Sequence, residues 1–225
     1  MSFYYDSTIL LVLPALIFTM YAQWKVSQAI SRNSAIRNAA GISGLDVART
    51  LLSRNGLGGM PVLLTDKGDH YDPQKRTVCL SRDVYHGTSL TALGVAAHEV
   101  GHALQHNEAY GPLMFRSNFF PIASFGSAAA WPLLFLGMLL YVPALMYLGI
   151  LVFGAAVLFQ VITLPVEYNA SSRAMQLLNT NGLISSNEVN GVKGVLDAAA
   201  LTYVAAAATA VLTLLRYVAM SKRRR

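Results

Sequence analysis

Charge is scarce in this chain. Lys, Arg, Asp and Glu make up 12% of its 225 residues, while 54% are hydrophobic. Soluble domains carry about twice that share of charge, so the balance argues for a membrane protein. There is one cysteine, Cys79, which excludes an internal disulfide framework and a cysteine-based zinc site. No Lys or Arg precedes Lys25. A cleaved secretory signal opens with a basic stretch, so the first apolar run is expected to remain as an anchor. No basic-aromatic stripe accompanies the net charge of +6, and nucleic acid is not an expected partner. The positive excess suits anionic lipid and the positive-inside rule. Neither an internal repeat nor a low-complexity linker is present.

The apolar runs organise the rest. Residues 1–24 read as an N-terminal transmembrane anchor, with Thr8 to Trp24 uncharged and Tyr4, Tyr5, Tyr21 and Trp24 as interfacial aromatics. Residues 25–118 read as a water-facing region. In it, Ser43-Gly44-Leu45-Asp46 looks like a helix start, and Met60 to Thr65 and Thr77 to Ser81 look like short strands. Residues 119–164 carry no charge at all. As helix they measure roughly 69 Å, about two bilayer crossings, with Tyr141-Val142-Pro143 as the hinge. Residues 165–197 are a polar segment, and 198–225 an Ala-rich helix held by other helices, ending in a basic tail. The expected fold is a mainly α membrane protein with about four transmembrane helices and a small β-hairpin or sheet.

Histidine is also sparse, five in all, and three of the five fall in His98-Glu99-Val100-Gly101-His102-Ala103-Leu104-Gln105-His106. On a helix, His98 and His102 stand at i and i+4 on one face. Both can then reach one zinc ion at about 2.0–2.1 Å. Glu99 is placed to act as general base towards a water activated by that ion. Ser89 or Thr88 can cap such a zincin-like helix, and Gly101, a poor helix former, would allow another element to approach closely. Ordinary helix histidines are the bland alternative, but an acid in the one position the chemistry needs argues against it. His106 lies about 12 Å from His98 along the axis, too far to share the ion.

Two histidines need a third protein ligand and an open position. Candidates are His70, His86, His106, Asp72, Asp83, Glu108 and Glu167. Glu167 lies just past the uncharged stretch, and it can share the ion with His98 only if that stretch crosses an even number of times. Its length already suggests two crossings.

The motif HEVGHALQH, the stretch His70-Tyr71-Asp72-Pro73 leading into Val78-Cys79-Leu80-Ser81, Pro-Val-Glu-Tyr-Asn-Ala-Ser at 165–171, and Ala200-Leu201-Thr202-Tyr203-Val204-Ala205 together resemble the YugP-type family of membrane zinc metallopeptidases. More distantly, a Glu on a later helix is similar to HtpX-like and CAAX prenyl proteases. The resemblance implies His98, His102 and Glu167 as ligands of one zinc ion, Glu99 as base, and a gluzincin-like metallopeptidase. The later motif of that family usually reads Glu-Phe-Asp-Ala-Ser, and here it is Glu167-Tyr168-Asn169-Ala170-Ser171.

Beside the reacting carbonyl, Arg173 and Tyr203 are the polar candidates for stabilising an oxyanion, with Asn169 behind them. The strand at Thr77–Ser81 could pair with an extended substrate. The expected function is a zinc-dependent endopeptidase with the lipid bilayer and polypeptide substrates as partners, in a bacterial cell (inner) membrane with its site facing the cytoplasm. Competing readings are a zinc hydrolase of a non-peptide substrate and a catalytically idle metal-binding scaffold.

Overall fold

A computed structural model describes residues 7–222. Tyr4, Tyr5 and Asp6 at one end, and Arg223 to Arg225 of the basic tail at the other, lie outside the described residues. A 3-10 turn at Ser7–Leu11 leads into α1 (Leu13–Ser34). Then come α2 (Gly44–Arg54), strands β1 (Val62–Leu64), β2 (His70–Asp72) and β3 (Thr77–Leu80), the short α3 (Arg82–Tyr85), α4 (Leu90–Asn107), α5 (Gly111–Leu139), α6 (Pro143–Thr180) and α7 (Val189–Lys222). Among the described residues, four helical stretches are long and apolar enough to cross a membrane: Thr8–Ser34, Gly111–Leu139, Pro143–Thr180 and Val189–Lys222. The chain is a mainly α membrane protein with one small sheet.

It forms two compact units. The first takes in the chain up to Gln23, Phe115–Leu164 and the chain from Thr202 onward; the second is Trp24–Met114 with Pro165–Leu201.

Among the described residues the first unit is built of helices and holds no strand. Its outer surface shows Met20, Phe125, Trp131 and Leu151, side chains that suit hydrocarbon better than water. Small residues let its helices meet: a Cβ on Gly126 would stand 2.7 Å from the carbonyl oxygen of Val152. Ala205 and Ala207 of the Ala-rich run are buried, and Thr209 meets Thr19 hydroxyl to hydroxyl at 3.1 Å. The expected hinge is present, with α5 ending at Leu139 and α6 starting at Pro143.

The second unit has a core built on α2, the sheet and α4. A capping box starts α2: Ser43 Oγ accepts from the Asp46 N–H and the Asp46 carboxylate accepts from the Ser43 N–H. The helix then buries Val47, Ala48, Leu51 and Leu52 against Leu93, Ala96, Ala97 and Val100 of α4. Ser89 caps α4 by accepting from the Ala92 N–H at 3.1 Å.

Two expectations need correction. The sheet has three strands, in the order β1-β3-β2, with β1 parallel and β2 antiparallel to β3. The strand at Thr77–Leu80 is therefore the central one, its two edges already paired, and it cannot accept a substrate strand. The polar segment 165–197 is not a separate element either. Instead α6 runs through Pro165 to Thr180, and α7 begins at Val189. Pro165 removes one backbone N–H, but Val166, Ala170, Ala174 and Leu178 recur every fourth residue and are all fully buried. That apolar stripe holds the helix together past the proline.

Candidate metal centre

All the groups of the centre belong to the second unit. His98 and His102, one turn apart on α4, bring their rings to 4.7 Å at 88°. Across from them stands Glu167 on α6, whose Oε2 lies 3.3 Å from His98 Nε2 and 3.5 Å from His102 Nε2. One donor atom from each of the three residues lies within 4.8 Å of the other two. Charge-assisted hydrogen bonds run shorter, about 2.7–2.9 Å. At metal–ligand distances of about 2.0–2.1 Å, two corners of a tetrahedron stand about 3.3–3.4 Å apart. The spacing and the donor types, two imidazoles and one carboxylate, thus fit a zinc ion with one position left open. The close approach depends on Gly101, where a Cβ would stand 2.7 Å from the Ala170 carbonyl oxygen.

Both imidazoles are held from behind. His98 Nδ1 faces Ser171 Oγ at 3.2 Å, and His102 Nδ1 faces Gln105 Oε1 at 2.9 Å. Ser171 of α6 thus backs His98, and Gln105 of α4 backs His102. Sequence reasoning passed over Gln105 and Ser171. The signal was there in part, since Gln105 follows His102 by three positions and Ser171 follows Glu167 by four, spacings that share a helix face.

Glu99, next to His98 on α4, is buried, 7% exposed. Burial pushes its carboxyl above the usual carboxylate range, against the pull of His102 and His98, with the Glu167 charge adding to the rise.

The remaining candidates are engaged elsewhere or stand apart. His106 Nδ1 pairs with the Tyr71 hydroxyl at 2.8 Å, and His70 Nδ1 with the Gly68 carbonyl at 2.9 Å. Asp72 accepts from the N–H groups of Gln74 and Lys75 in its turn. Asp83 and His86 belong to the α3 region and join no group of three metal-binding side chains among the described residues. Arg173 Nη2 pairs with Glu108 Oε2 at 2.8 Å and its Nε donates to Asn169 Oδ1 at 2.8 Å. Tyr203 is half-buried on α7, within the first unit.

The family described as "Putative neutral zinc metallopeptidase" matches residues 8–222. The chain belongs to this neutral zinc metallopeptidase family. Within it, the chain is 51% identical over 213 residues to the "Putative membrane protease YugP" of Bacillus subtilis (strain 168), covering 93% of this chain and 94% of that one. No solved structure matches. Membership of a zinc metallopeptidase family agrees with a metal centre whose donors suit zinc and with four helices fit to cross a bilayer.

Proposed function

We propose that the chain is a membrane-embedded zinc-dependent endopeptidase acting on membrane or misfolded proteins. The observation that carries this reading is Glu99: a buried carboxyl next in sequence to His98, on the helix that carries both histidines. A centre that only held metal would have no use for it. His98, His102 and Glu167 would hold the ion, which when bound would polarise a peptide carbonyl and acidify a water. Glu99 takes a proton from the attacking water and returns it to the leaving amine. Arg173, through N–H groups beyond those given to Glu108 and Asn169, is proposed to face the oxyanion. Arg173→Lys should slow turnover even at saturating zinc.

We place the site in the cytoplasm of a bacterial cell. Lys25, Arg32, Arg37 and Arg116 flank the more hydrophobic stretches, which outrank the Ala-rich one in setting orientation.

The deciding experiment is hydrolysis of a loosely folded polypeptide by the purified protein in detergent, beside Glu99→Gln. The variant should keep its zinc and lose about 10²–10⁴ in rate. Equal turnover by the two would remove Glu99 from the reaction. Zinc content with no proteolysis in either would favour a scaffold or a non-peptide substrate.

A further inference from the structure

Gln105 is fully buried in the second unit, and every polar atom of its side chain is engaged. Its Oε1 faces His102 Nδ1 at 2.9 Å. Its Nε2 faces the Val166 carbonyl at 2.8 Å and Asn169 Oδ1 at 2.9 Å. Asn169 Oδ1 also meets Arg173 Nε at 2.8 Å, and Arg173 Nη2 meets the Glu108 carboxylate at 2.8 Å. A connected row of groups thus runs from His102 to an exposed ion pair.

The two orientable amides in that row, and the imidazole, have only one consistent arrangement. A backbone carbonyl only accepts, so the group of Gln105 facing Val166 must be its NH2. An arginine Nε–H only donates, so the atom of Asn169 facing Arg173 must be its oxygen. That oxygen accepts from Gln105 as well. With the NH2 so placed, the oxygen of Gln105 faces His102, and Nδ1 of that ring must carry the proton. The lone pair then lies on Nε2, the nitrogen that faces Glu167. On His98 no such requirement operates, because the Ser171 hydroxyl beside its Nδ1 both donates and accepts.

We propose that Gln105 is a positioning residue that locks His102 in the Nδ1–H tautomer and presents Nε2 to the metal, with Asn169, anchored by Arg173, keeping the Gln105 amide from turning over. This rests on the reading of His98, His102 and Glu167 as a metal centre. Groups behind a metal-bound histidine commonly contribute about 10–100-fold to affinity. Since Asn169 uses only its oxygen, aspartate can replace it and leucine cannot.

The test uses full-length wild type, Gln105→Leu, Asn169→Leu and Asn169→Asp in detergent, stripped of metal and titrated with cobalt(II) and zinc(II) against a competing indicator. Histidine-selective 15N spectra of the metal-free proteins report the tautomer of each ring. We expect Gln105→Leu and Asn169→Leu to bind about 10–100-fold more weakly, with the His102 signal drifting towards a mixture of tautomers. Asn169→Asp should keep wild-type affinity and spectrum. If Gln105→Leu does not fold, the two Asn169 variants decide. Wild-type affinity in a folded Gln105→Leu, or equal losses in Asn169→Asp and Asn169→Leu, would overturn the proposal. A wild type that takes up neither ion, yet shows His102 fixed as Nδ1–H, would overturn the metal reading and leave the lock standing.

Discussion

With both imidazoles neutral, Glu167 is the one anionic donor in the centre, and Glu99 lies buried beside it. A divalent ion would be balanced by these two carboxylates, which is a reason for burying a pair of acids so close together. Glu167→Ala should therefore lose metal along with activity, whereas His106→Ala, whose imidazole serves Tyr71, should keep full zinc content. Metal analysis of the two purified variants separates them, and full zinc in Glu167→Ala would move the third ligand elsewhere. His98, Glu99 and His102 were legible in the sequence because their spacing matches the helix repeat, so chemistry and geometry sit within five letters. Glu167 was one name among seven until the length of the uncharged stretch and the family resemblance favoured it. Gln105 and Asn169 were harder. Their partners lie about sixty residues apart in the chain, and nothing in a glutamine alone says which carbonyl it will meet.

At the scale of elements, the contact that matters most is α4 against α6 at Gly101 and Ala170. Gly101→Ala would be mildly favourable in an isolated helix. Here its methyl meets a backbone oxygen that cannot swing aside, so overpacking should cost about 1–3 kcal/mol. The lower melting point should come with weaker zinc binding, since the helices carrying the ligands must part. An unchanged melting point would show that the pair can slide without loss. The caps of α2 and α4 and the break before Pro143 were readable because a few adjacent residues encode each of them. Strand β2 was not. His70–Asp72 is three residues long and lies between turn signals, and only pairing with β3 makes it a strand. The continuation of α6 was overlooked because Pro165 reads as an ending, while the stripe that overrides it becomes decisive once Val166, Ala170, Ala174 and Leu178 have something to pack on.

For the whole molecule, orientation is the open prediction. A single cysteine at Thr65 in a Cys79→Ser background should resist an impermeant thiol reagent on intact cells and react after lysis. Reaction before lysis would put the site outside. The spacing of the ligands has a mechanical consequence as well. His102 and Glu167 are separated by all of α5 and more than half of α6, so an ion gripping both would close a long loop of chain as a removable rivet. Cross-links of that span restrict the unfolded chain most, and a ligand bound only by the folded state adds about 2.7 kcal/mol at a hundred times its dissociation constant. Chelation should accordingly lower the melting temperature, and added zinc should restore it. Glu99→Gln should show the same shift, since it leaves the grip intact. A protease built this way would be most exposed to digestion by its neighbours whenever it had lost its own metal, so starvation for zinc would thin out the idle molecules first.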